Sequence, residues 1–332
     1  MRQSAEHRFV LFAASWLKSF SMKYRRLGKT NLIVSVIGIG TWQFGGEWAK
    51  NFQQSEVDQM FDAARELGLN LIDTAECYGD HTSETFIGKA IERDRDKWIV
   101  ATKFGHKFHG PMDRTEPRSP ADVREQLESS LKALRTDHID LHQYHSWGDE
   151  QFFAEDVQAE LEKMLAQGKV RHLGNSVGKN SNLKQIEAST KKKLEAIQIV
   201  YNRLDRAPET SGVYDACIRQ DLGVLARVPM ASGFLSGKYK PGHEFPQGDV
   251  RAGRDRAQTD AKLREVEQIA RTEVPPGVPT ARWALAWCLQ HPAVTCVIPG
   301  CKDVQQVKDN AAAAEVAIVR DDHPQAVSSK PA

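Results

Sequence analysis

The 332-residue chain lacks long apolar runs, paired cysteines and an excess of one charge. Its longest apolar run, 9–17, is about half of what a membrane-spanning helix requires. The five cysteines are scattered without a C-x-x-C pair, which argues against a disulfide framework or a zinc knuckle and favours a reducing, cytoplasmic setting. With 45 Lys and Arg against 44 Asp and Glu, the net charge of +1 excludes binding to nucleic acid or a membrane by bulk charge.

The first 21 residues differ from the rest of the chain. Two arginines precede the short apolar run, as in secretory or transit peptides. The segment that begins at Met22 has the character of a natural start, so we interpret 1–21 as an N-terminal extension upstream of a misassigned start. A targeting segment and an amphipathic helix that packs on the body or on a partner are the alternatives. We expect the folded domain to span 22–318 and residues 319–332 to form a flexible tail.

Beyond this segment, strand-like and helix-like apolar patterns alternate along the chain. Short apolar runs such as 36–40, 69–73 and 98–102 predict strands, and an amphipathic segment follows each of them. One such segment begins at Ser119-Pro120, a favoured pair at a helix start. Eight βα units in about 290 residues predict a single-domain α/β protein with a closed (β/α)8, or TIM, barrel.

An open, doubly wound sheet is the alternative fold. Its dinucleotide-binding fingerprint follows the first strand, and the segment 38–43 lacks the third glycine of that fingerprint. The segment 23–35, around Gly28-Lys-Thr-Asn31, predicts a β-hairpin before the first barrel strand. We expect this N-terminal hairpin to close the floor of the barrel.

Four side chains with complementary chemistry follow the predicted strands: Asp73, Tyr78, Lys103 and His145. Active sites of (β/α)8 barrels lie at the carboxyl ends of the strands. A tyrosine is a weak acid with a pKa near 10, and an adjacent ammonium lowers that pKa. An aspartate would keep the lysine charged, and a histidine can bond to a substrate oxygen. Each residue alone is more commonly a cap, core or surface residue, but together they suit proton delivery to a carbonyl as hydride reaches its carbon.

The motifs that carry these residues resemble the aldo-keto reductase family. Asp73-Thr-Ala-Glu-Cys-Tyr78-Gly79, 98–105 and 139–145 match three successive blocks of that family, and the resemblance runs from about Tyr24 to Ala314. It implies an NAD(P)-dependent oxidoreductase that reduces an aldehyde, ketone or sugar carbonyl to an alcohol, or catalyses the reverse oxidation.

The resemblance also implies roles for the individual residues. Tyr78 would be the general acid, Lys103 and Asp73 its tuning pair, and His145, rather than His142, the residue that orients the carbonyl. The family binds its nicotinamide cofactor across the barrel rim without a Rossmann domain. The cofactor-binding residues that the resemblance implies are Gly40, Thr41, Trp42, Asp73, Ser176, Gln198, Arg227, Met230, Ser232, Gly233, Lys238, Gly300, Lys302, Gln306 and Asn310.

The sequence departs from the family pattern where the adenosine phosphate would bind. Many members carry lysine at the position of Gly300 and arginine at that of Gln306, whereas here Lys302 alone supplies positive charge in that run. Asp309 matches an acid that contacts adenine. Val177 replaces a common asparagine. The expected cofactor is NADPH, with NADH as the alternative.

An aromatic wall is expected around the carbonyl substrate. Its predicted members are Phe44, Trp48, Phe104 and Trp147. Aldehydes, ketones, sugars and steroids are all compatible with such a wall. Neither the substrate, nor the physiological direction, nor the oligomeric state can be read from the sequence.

Three other interpretations fit parts of the sequence. Residues 174–178 match the G-x-S-x-G motif of serine hydrolases, but no His-Gly-Gly-Gly oxyanion segment precedes them. His138, His142 and His145 have the helical spacing of a zinc site, but the strand-like alternation of 139–145 turns His145 away from the other two, so no metal is expected. The third is a non-catalytic regulatory subunit with the same fold, against which the intact set of four residues argues.

Overall fold

The computed structural model describes residues 20–328. The predicted N-terminal extension therefore lies outside the described residues apart from Phe20 and Ser21, as do residues 329–332. Within 20–328, no helix combines the length and the apolar character needed to cross a membrane.

The described residues form strands that alternate with helices along most of the chain. The strands are β1 (Tyr24–Arg26), β2 (Ile33–Ser35), β3 (Ile39–Gly40), β4 (Leu71–Asp73), β5 (Ile99–Phe104), β6 (Lys107–Gly110), β7 (Asp113–Thr115), β8 (Ile139–His145), β9 (Val170–Ser176), β10 (Leu194–Val200), β11 (Gly223–Arg227), β12 (Cys296–Val297) and β13 (Ala326–Val327). The α-helices are α1 (Gln54–Glu66), α2 (Thr82–Ile91), α3 (Pro120–Leu134), α4 (Asp149–Phe152), α5 (Glu155–Ala166), α6 (Leu183–Glu187), α7 (Ala207–Thr210), α8 (Val213–Arg219), α9 (Arg256–Thr272), α10 (Thr280–Leu289) and α11 (Val304–Ala311).

Eight of the strands form a parallel barrel. They are hydrogen-bonded in the order β12-β11-β10-β9-β8-β5-β4-β3. Parallel bridges from Ile37 to Val297 and from Gly40 to Gly300 join the first strand to the last. The predicted closed (β/α)8 barrel is therefore confirmed, and the open sheet is excluded.

Helix α3 illustrates how the sequence sets a helix on the outside of this barrel. The side chain of Ser119 accepts a hydrogen bond from the backbone of Asp122, whose carboxylate accepts one from the backbone of Ser119. This reciprocal cap satisfies two amide groups at the start of the helix. The apolar stripe predicted from the sequence faces the barrel and is buried; it consists of Val123, Leu127, Leu131 and Leu134.

The N-terminal hairpin closes the floor of the barrel, as the sequence predicted. Strands β1 and β2 pair antiparallel. Leu27 and Val34 are fully buried and belong to one cluster with the inward-facing residues Leu71, Ala101, Leu141, Ala196, Leu225, Cys296 and Ile298. Gly28 has φ +50°, and a Cβ there would lie 2.1 Å from the backbone nitrogen of Gly223, so only glycine fits this close approach.

The end of the described chain differs from the expected flexible tail. Strand β13 pairs antiparallel with β1, with Tyr24 opposite Val327 and Arg25 opposite Ala326. An edge strand offers unpaired amide and carbonyl groups, and the tail satisfies them. The polar composition of this segment favours a flexible tail over a strand. It does not exclude strand pairing, because backbone hydrogen bonds do not require apolar side chains.

We expect Leu27→Ala to lower the free energy of unfolding by about 2–5 kcal/mol, because it removes buried methyl groups from the barrel interior and leaves a cavity. Urea denaturation followed by circular dichroism measures the change. Ile218→Ala, at a side chain that is 50% exposed, is the matched control. Equal stability of the two variants would show that Leu27 does not support the barrel.

Candidate active site

A cavity of about 490 Å³ opens at the carboxyl ends of the barrel strands. Its size is that of a typical small-molecule or cofactor site. Most of the side chains predicted for the site line it. These are Gly40, Thr41, Trp42, Trp48, Asp73, Tyr78, His145, Ser176, Gln198, Arg227, Met230, Ser232, Gly233, Lys238, Gly300, Lys302, Gln306 and Asn310.

Lys103 lies beneath this cavity, near the end of β5, and is only 1% exposed. Its Nζ lies 2.9 Å from Oδ1 of Asp73 and donates to the Thr74 carbonyl at 2.6 Å. The same Nζ donates to the hydroxyl of Tyr78 at 3.3 Å. Three of the four residues selected from the sequence are therefore in direct contact.

The local environment fixes the protonation states of this cluster. Burial lowers the pKa of Lys103, but the interactions with Asp73 and Tyr78 together outweigh burial and raise the pKa above its ordinary value. Burial raises the pKa of Tyr78 to about 12, although Lys103 acts in the opposite direction. The expected lowering by the lysine is therefore present but smaller than the effect of burial. At neutral pH Tyr78 is a protonated phenol and Lys103 an ammonium.

His145 ends β8 on the wall of the cavity. Its Nδ1 lies 3.6 Å from Sγ of Cys77, and its ring centroid is 6.1 Å from that of Tyr78 and 4.4 Å from that of His106. Burial, assisted by neighbouring cationic groups, holds the pKa of His145 well below its usual range. The imidazole is therefore neutral at pH 7 and can act as a hydrogen-bond donor.

His142, the other candidate in this strand, does not reach the cavity. It is fully buried and packs against Phe104, with 4.7 Å between the ring centroids. Burial lowers the pKa of His142 to about 3. The ring therefore occupies a core position and not the cavity.

The ligand atoms of Cys77, His106 and His145 lie within 4.8 Å of one another, a distance compatible with a bound metal ion. The charges of Lys103 and Arg114 both act on this cluster. Positive charge so close would repel a divalent cation. Of the three residues, His106 and His145 line the cavity.

The groups predicted to hold a carboxamide lie on β9 and β10, where Ser176 pairs in register with His145 on one side and with Gln198 on the other. Ser176 Oγ donates to Oε1 of Gln198 at 3.3 Å, and Nε2 of Gln198 donates to Oδ1 of Asp73 at 2.6 Å. Asp73 thus connects the carboxamide side to Lys103. Arg227, at the end of β11, donates to the Val177 carbonyl at 3.1 Å.

The loop after β11 has an unusual backbone. Val228, Ala231, Ser232 and Gly233 all have positive φ angles, between 49° and 89°. The left-handed region is unfavourable for a β-branched residue such as Val228. Strain of this kind concentrates at ligand-binding segments, which supports the predicted contact of this loop with the cofactor.

Sequence reasoning missed the contribution of the segment around Arg251 to the cavity wall. Arg251 forms an ion pair with Asp249 at 2.6 Å, and its guanidinium lies 5.2 Å from the ring centroid of Trp48 and 4.2 Å from that of Phe245. Arg251 also lines the cavity. Nothing in the segment 230–256 indicates this contact, because Trp48 is about two hundred residues away in the chain.

Gly300, at a position where the aldo-keto reductase pattern often has lysine, lies against the side chain of Gln43. A Cβ on Gly300 would lie 2.0 Å from Nε2 of Gln43. Any side chain at 300, including the lysine of other members, would therefore require Gln43 to move. Gln43 also lines the cavity and was not selected from the sequence.

The predicted aromatic wall is wrong at three of its four positions. Phe44, Phe104 and Trp147 are at most 2% exposed and pack in the core, and of the four only Trp48 lines the cavity. Phe104 follows Lys103 on β5, so the two side chains lie on opposite sides of the barrel wall. The β6–β7 hairpin and the residue before it contribute the missing wall instead, through His106, Met112 and Arg114.

The model of the Aldo/keto reductase family matches residues 36–330, and the chain belongs to that family. It is accordingly an NAD(P)-dependent oxidoreductase that interconverts carbonyl groups and alcohols, and the non-catalytic alternative has no support.

The names of two relatives specify different cofactors. The chain is 31% identical over 320 residues to the NADH-specific methylglyoxal reductase of Escherichia coli (strain K12), covering 89% of this chain and 94% of that protein. It is 27% identical over 305 residues to the aldo-keto reductase yakc [NADP(+)] of Schizosaccharomyces pombe, covering 89% and 88%. Among solved structures, an aldo-keto reductase from Bacillus halodurans in its holo form has a TM-score of 0.75 at 29% identity, covering 90% and 92%.

Glu76 attaches the start of the β6–β7 segment to the loop after β4. Its carboxyl oxygens accept hydrogen bonds from the backbone nitrogens of Cys77 at 2.7 Å and His106 at 2.8 Å. Glu76 is 3% exposed, and burial raises its pKa to about 8. Because the folded state binds this proton more tightly than the unfolded chain does, the resulting stability is complete below about pH 4.5 and is lost as the pH rises through about 8.

We therefore expect Glu76→Gln to gain stability relative to the original protein as the pH rises from 5 to 8.5, by roughly 2–4 kcal/mol. The glutamine cannot ionise, so that variant lacks the loss. Urea midpoints at both pH values measure the difference, with the exposed Glu150→Gln as the control. A difference that is independent of pH would contradict the protonated state of Glu76.

Proposed function

We propose that the cavity reduces a small-molecule carbonyl with Tyr78 as the proton donor. Lys103 and Asp73 would set the charge around that phenol, and His145 would bond to the carbonyl oxygen. The observation that carries this proposal is the position of Lys103 Nζ, which lies within 3.3 Å of both the Asp73 carboxylate and the Tyr78 hydroxyl. Burying a lysine ammonium costs free energy, so a lysine whose role is only to be solvated is not expected at this position.

The cofactor, when bound, supplies hydride from the reduced nicotinamide. The protein supplies the proton: Tyr78 releases it from its Oη to the carbonyl oxygen as negative charge develops there. The neutral imidazole of His145 donates a hydrogen bond to the same oxygen. The ammonium of Lys103 stabilises the phenolate that remains, and solvent then restores the phenol. Alcohol oxidation follows the same steps in reverse.

The residues present fit a nicotinamide dinucleotide. Ser176 and Gln198 present a hydroxyl and an amide side by side, which suits a carboxamide. Arg227 has a buried Nε without a hydrogen-bond partner among residues 20–328, so a ligand can use this donor or stack on the guanidinium. These side chains would hold the nicotinamide end, and the strained loop around Ser232 would cover the phosphates.

We favour NADPH over NADH. Lys302 lines the cavity and donates to the Trp48 carbonyl at 2.9 Å, and Lys238 lines it as well. Neither lysine forms an ion pair within the described part of the chain, so their charge is available to an additional phosphate. NADH stays the alternative, because the relatives named above include an NADH-specific enzyme.

Five free, buried cysteines support a reducing compartment, and we propose a cytoplasmic location.

We expect Lys302→Ala to lower kcat/KM for NADPH roughly 10- to 100-fold, because it removes a charge-assisted contact to phosphate, and to change the value for NADH less than about threefold. Steady-state kinetics with both cofactors measure this. Lys308→Ala, at an exposed lysine on the following helix α11, is the control. An equal loss with both cofactors would exclude a contact to the extra phosphate, and an unmodified enzyme that uses NADH as well as NADPH would overturn the preference.

Tyr78→Phe should lower kcat for carbonyl reduction roughly 100- to 10,000-fold, because the proton donor is lost, while cofactor affinity measured by fluorescence changes little. Tyr214→Phe is the matched control, since it removes a buried hydroxyl that lies outside the cavity. Near-normal turnover of the Tyr78 variant would refute the assignment.

A further inference from the structure

A guanidinium on the wall of the cavity forms an ion pair with a buried carboxylate outside the cavity lining, and the reaction described above uses neither. Glu47 is 1% exposed and accepts hydrogen bonds from Nε1 of Trp42, from the backbone nitrogen of Met112 at 2.9 Å and from Nη2 of Arg114 at 2.6 Å. These three contacts attach the β6–β7 hairpin to the cavity rim. They also engage both carboxylate oxygens of Glu47.

Arg114 retains hydrogen-bonding capacity after this pairing. A guanidinium has five N–H donors in a planar fork. The Nε of Arg114 is buried and has no partner among the described residues, and the side chain as a whole is 17% exposed and lines the cavity. Donors left unsatisfied in a site of low dielectric constant cost free energy, which a bound acceptor would recover.

Two chains of contacts place this pair close to the reacting carbonyl. Arg114 lies beside Cys77, whose Sγ is 3.6 Å from Nδ1 of His145. On the other side, Trp42 bonds to Glu47 and stacks on Tyr78, with 6.2 Å between ring centroids and 26° between the planes. One intervening side chain therefore separates the pair from each group proposed to bind the carbonyl oxygen.

We propose that Arg114 determines substrate specificity by donating a hydrogen bond to an oxygen on the carbon next to the reacting carbonyl. The substrate class is then small aldehydes or ketones with a neighbouring hydroxyl or oxo group. Glu47 compensates the charge of Arg114, which favours a neutral oxygen over a carboxylate at this position. The inference rests on the proposed carbonyl reduction.

The test compares 2-hydroxypropanal with propanal, which differ by one hydroxyl group, as kcat/KM per unhydrated carbonyl. The unmodified enzyme should prefer the hydroxyaldehyde at least about 10-fold, as expected for a hydrogen bond to a charged donor. Arg114→Met should bring the ratio to within about threefold of one, mainly by lowering kcat/KM for the hydroxyaldehyde. Arg118→Met, exposed and outside the cavity, should keep the original ratio.

Arg114→Lys provides a variant that can keep the ion pair with Glu47, so loss of folding in the methionine variant does not decide the outcome. It lacks the guanidinium fork, and its ratio should fall at least about fivefold. Equal losses for both aldehydes in the arginine variants, or a ratio near one in the unmodified enzyme, would overturn the inference. An Arg114-dependent preference for glyoxylate over both aldehydes would overturn it in favour of a carboxylate. Absence of turnover with both aldehydes would instead refute the proposed carbonyl reduction, and the inference with it.

Discussion

The ammonium of Lys103, enclosed in the barrel wall, is the interaction on which the site depends. Removing such a charge from water costs several kcal/mol, and only well-placed partners offset this cost. Asp73 supplies the opposite charge, and the carbonyl of Thr74 and the hydroxyl of Tyr78 accept hydrogen bonds from the ammonium. These partners come from β4 and the loop after it, whereas the lysine comes from β5. The cluster therefore exists only once neighbouring strands have paired in the correct register.

Asp73 also connects this cluster to side chains on two other strands of the barrel. One of its oxygens accepts from Gln198 on β10, which in turn accepts from Ser176 on β9. The Lys103–Tyr78 pair and the Gln198–Ser176 pair are thus connected by hydrogen bonds through one carboxylate. Such a network orients its members together, so that a cofactor and a carbonyl can be aligned before any charge develops.

Much of this architecture could be predicted from the sequence. Alternating apolar patterns locate the strands, and the rule that active sites lie at their carboxyl ends selects Asp73, Lys103 and His145. Periodicity also indicates that successive strand residues face opposite sides, so the burial of Phe104 behind the wall was predictable once Lys103 was assigned to the inside. Since Lys103 faces the inside, the same rule excludes Phe104 from the aromatic wall.

Other features depend on contacts that no local pattern carries. The approach of Arg114 to the cavity depends on Glu47, which lies 67 positions earlier and is buried by the fold itself. The pairing of β13 with β1 joins opposite ends of the described chain through backbone groups, which every sequence provides. The balance that raises the pKa of Tyr78 to about 12 depends on how completely the cavity wall excludes water, and the residue types alone do not determine this.

The central claim is that hydride passes directly to a carbonyl carbon while the proton comes from a phenol in exchange with solvent. Product analysis by mass spectrometry and NMR tests it, with benzaldehyde, a cofactor that carries two deuterium atoms at C4 of the reduced nicotinamide in H₂O, and the unlabelled cofactor in D₂O. The account predicts one deuterium on the alcohol carbon from the labelled cofactor and none from D₂O. Carbon-bound deuterium derived from D₂O, or product without the cofactor's label, would contradict it.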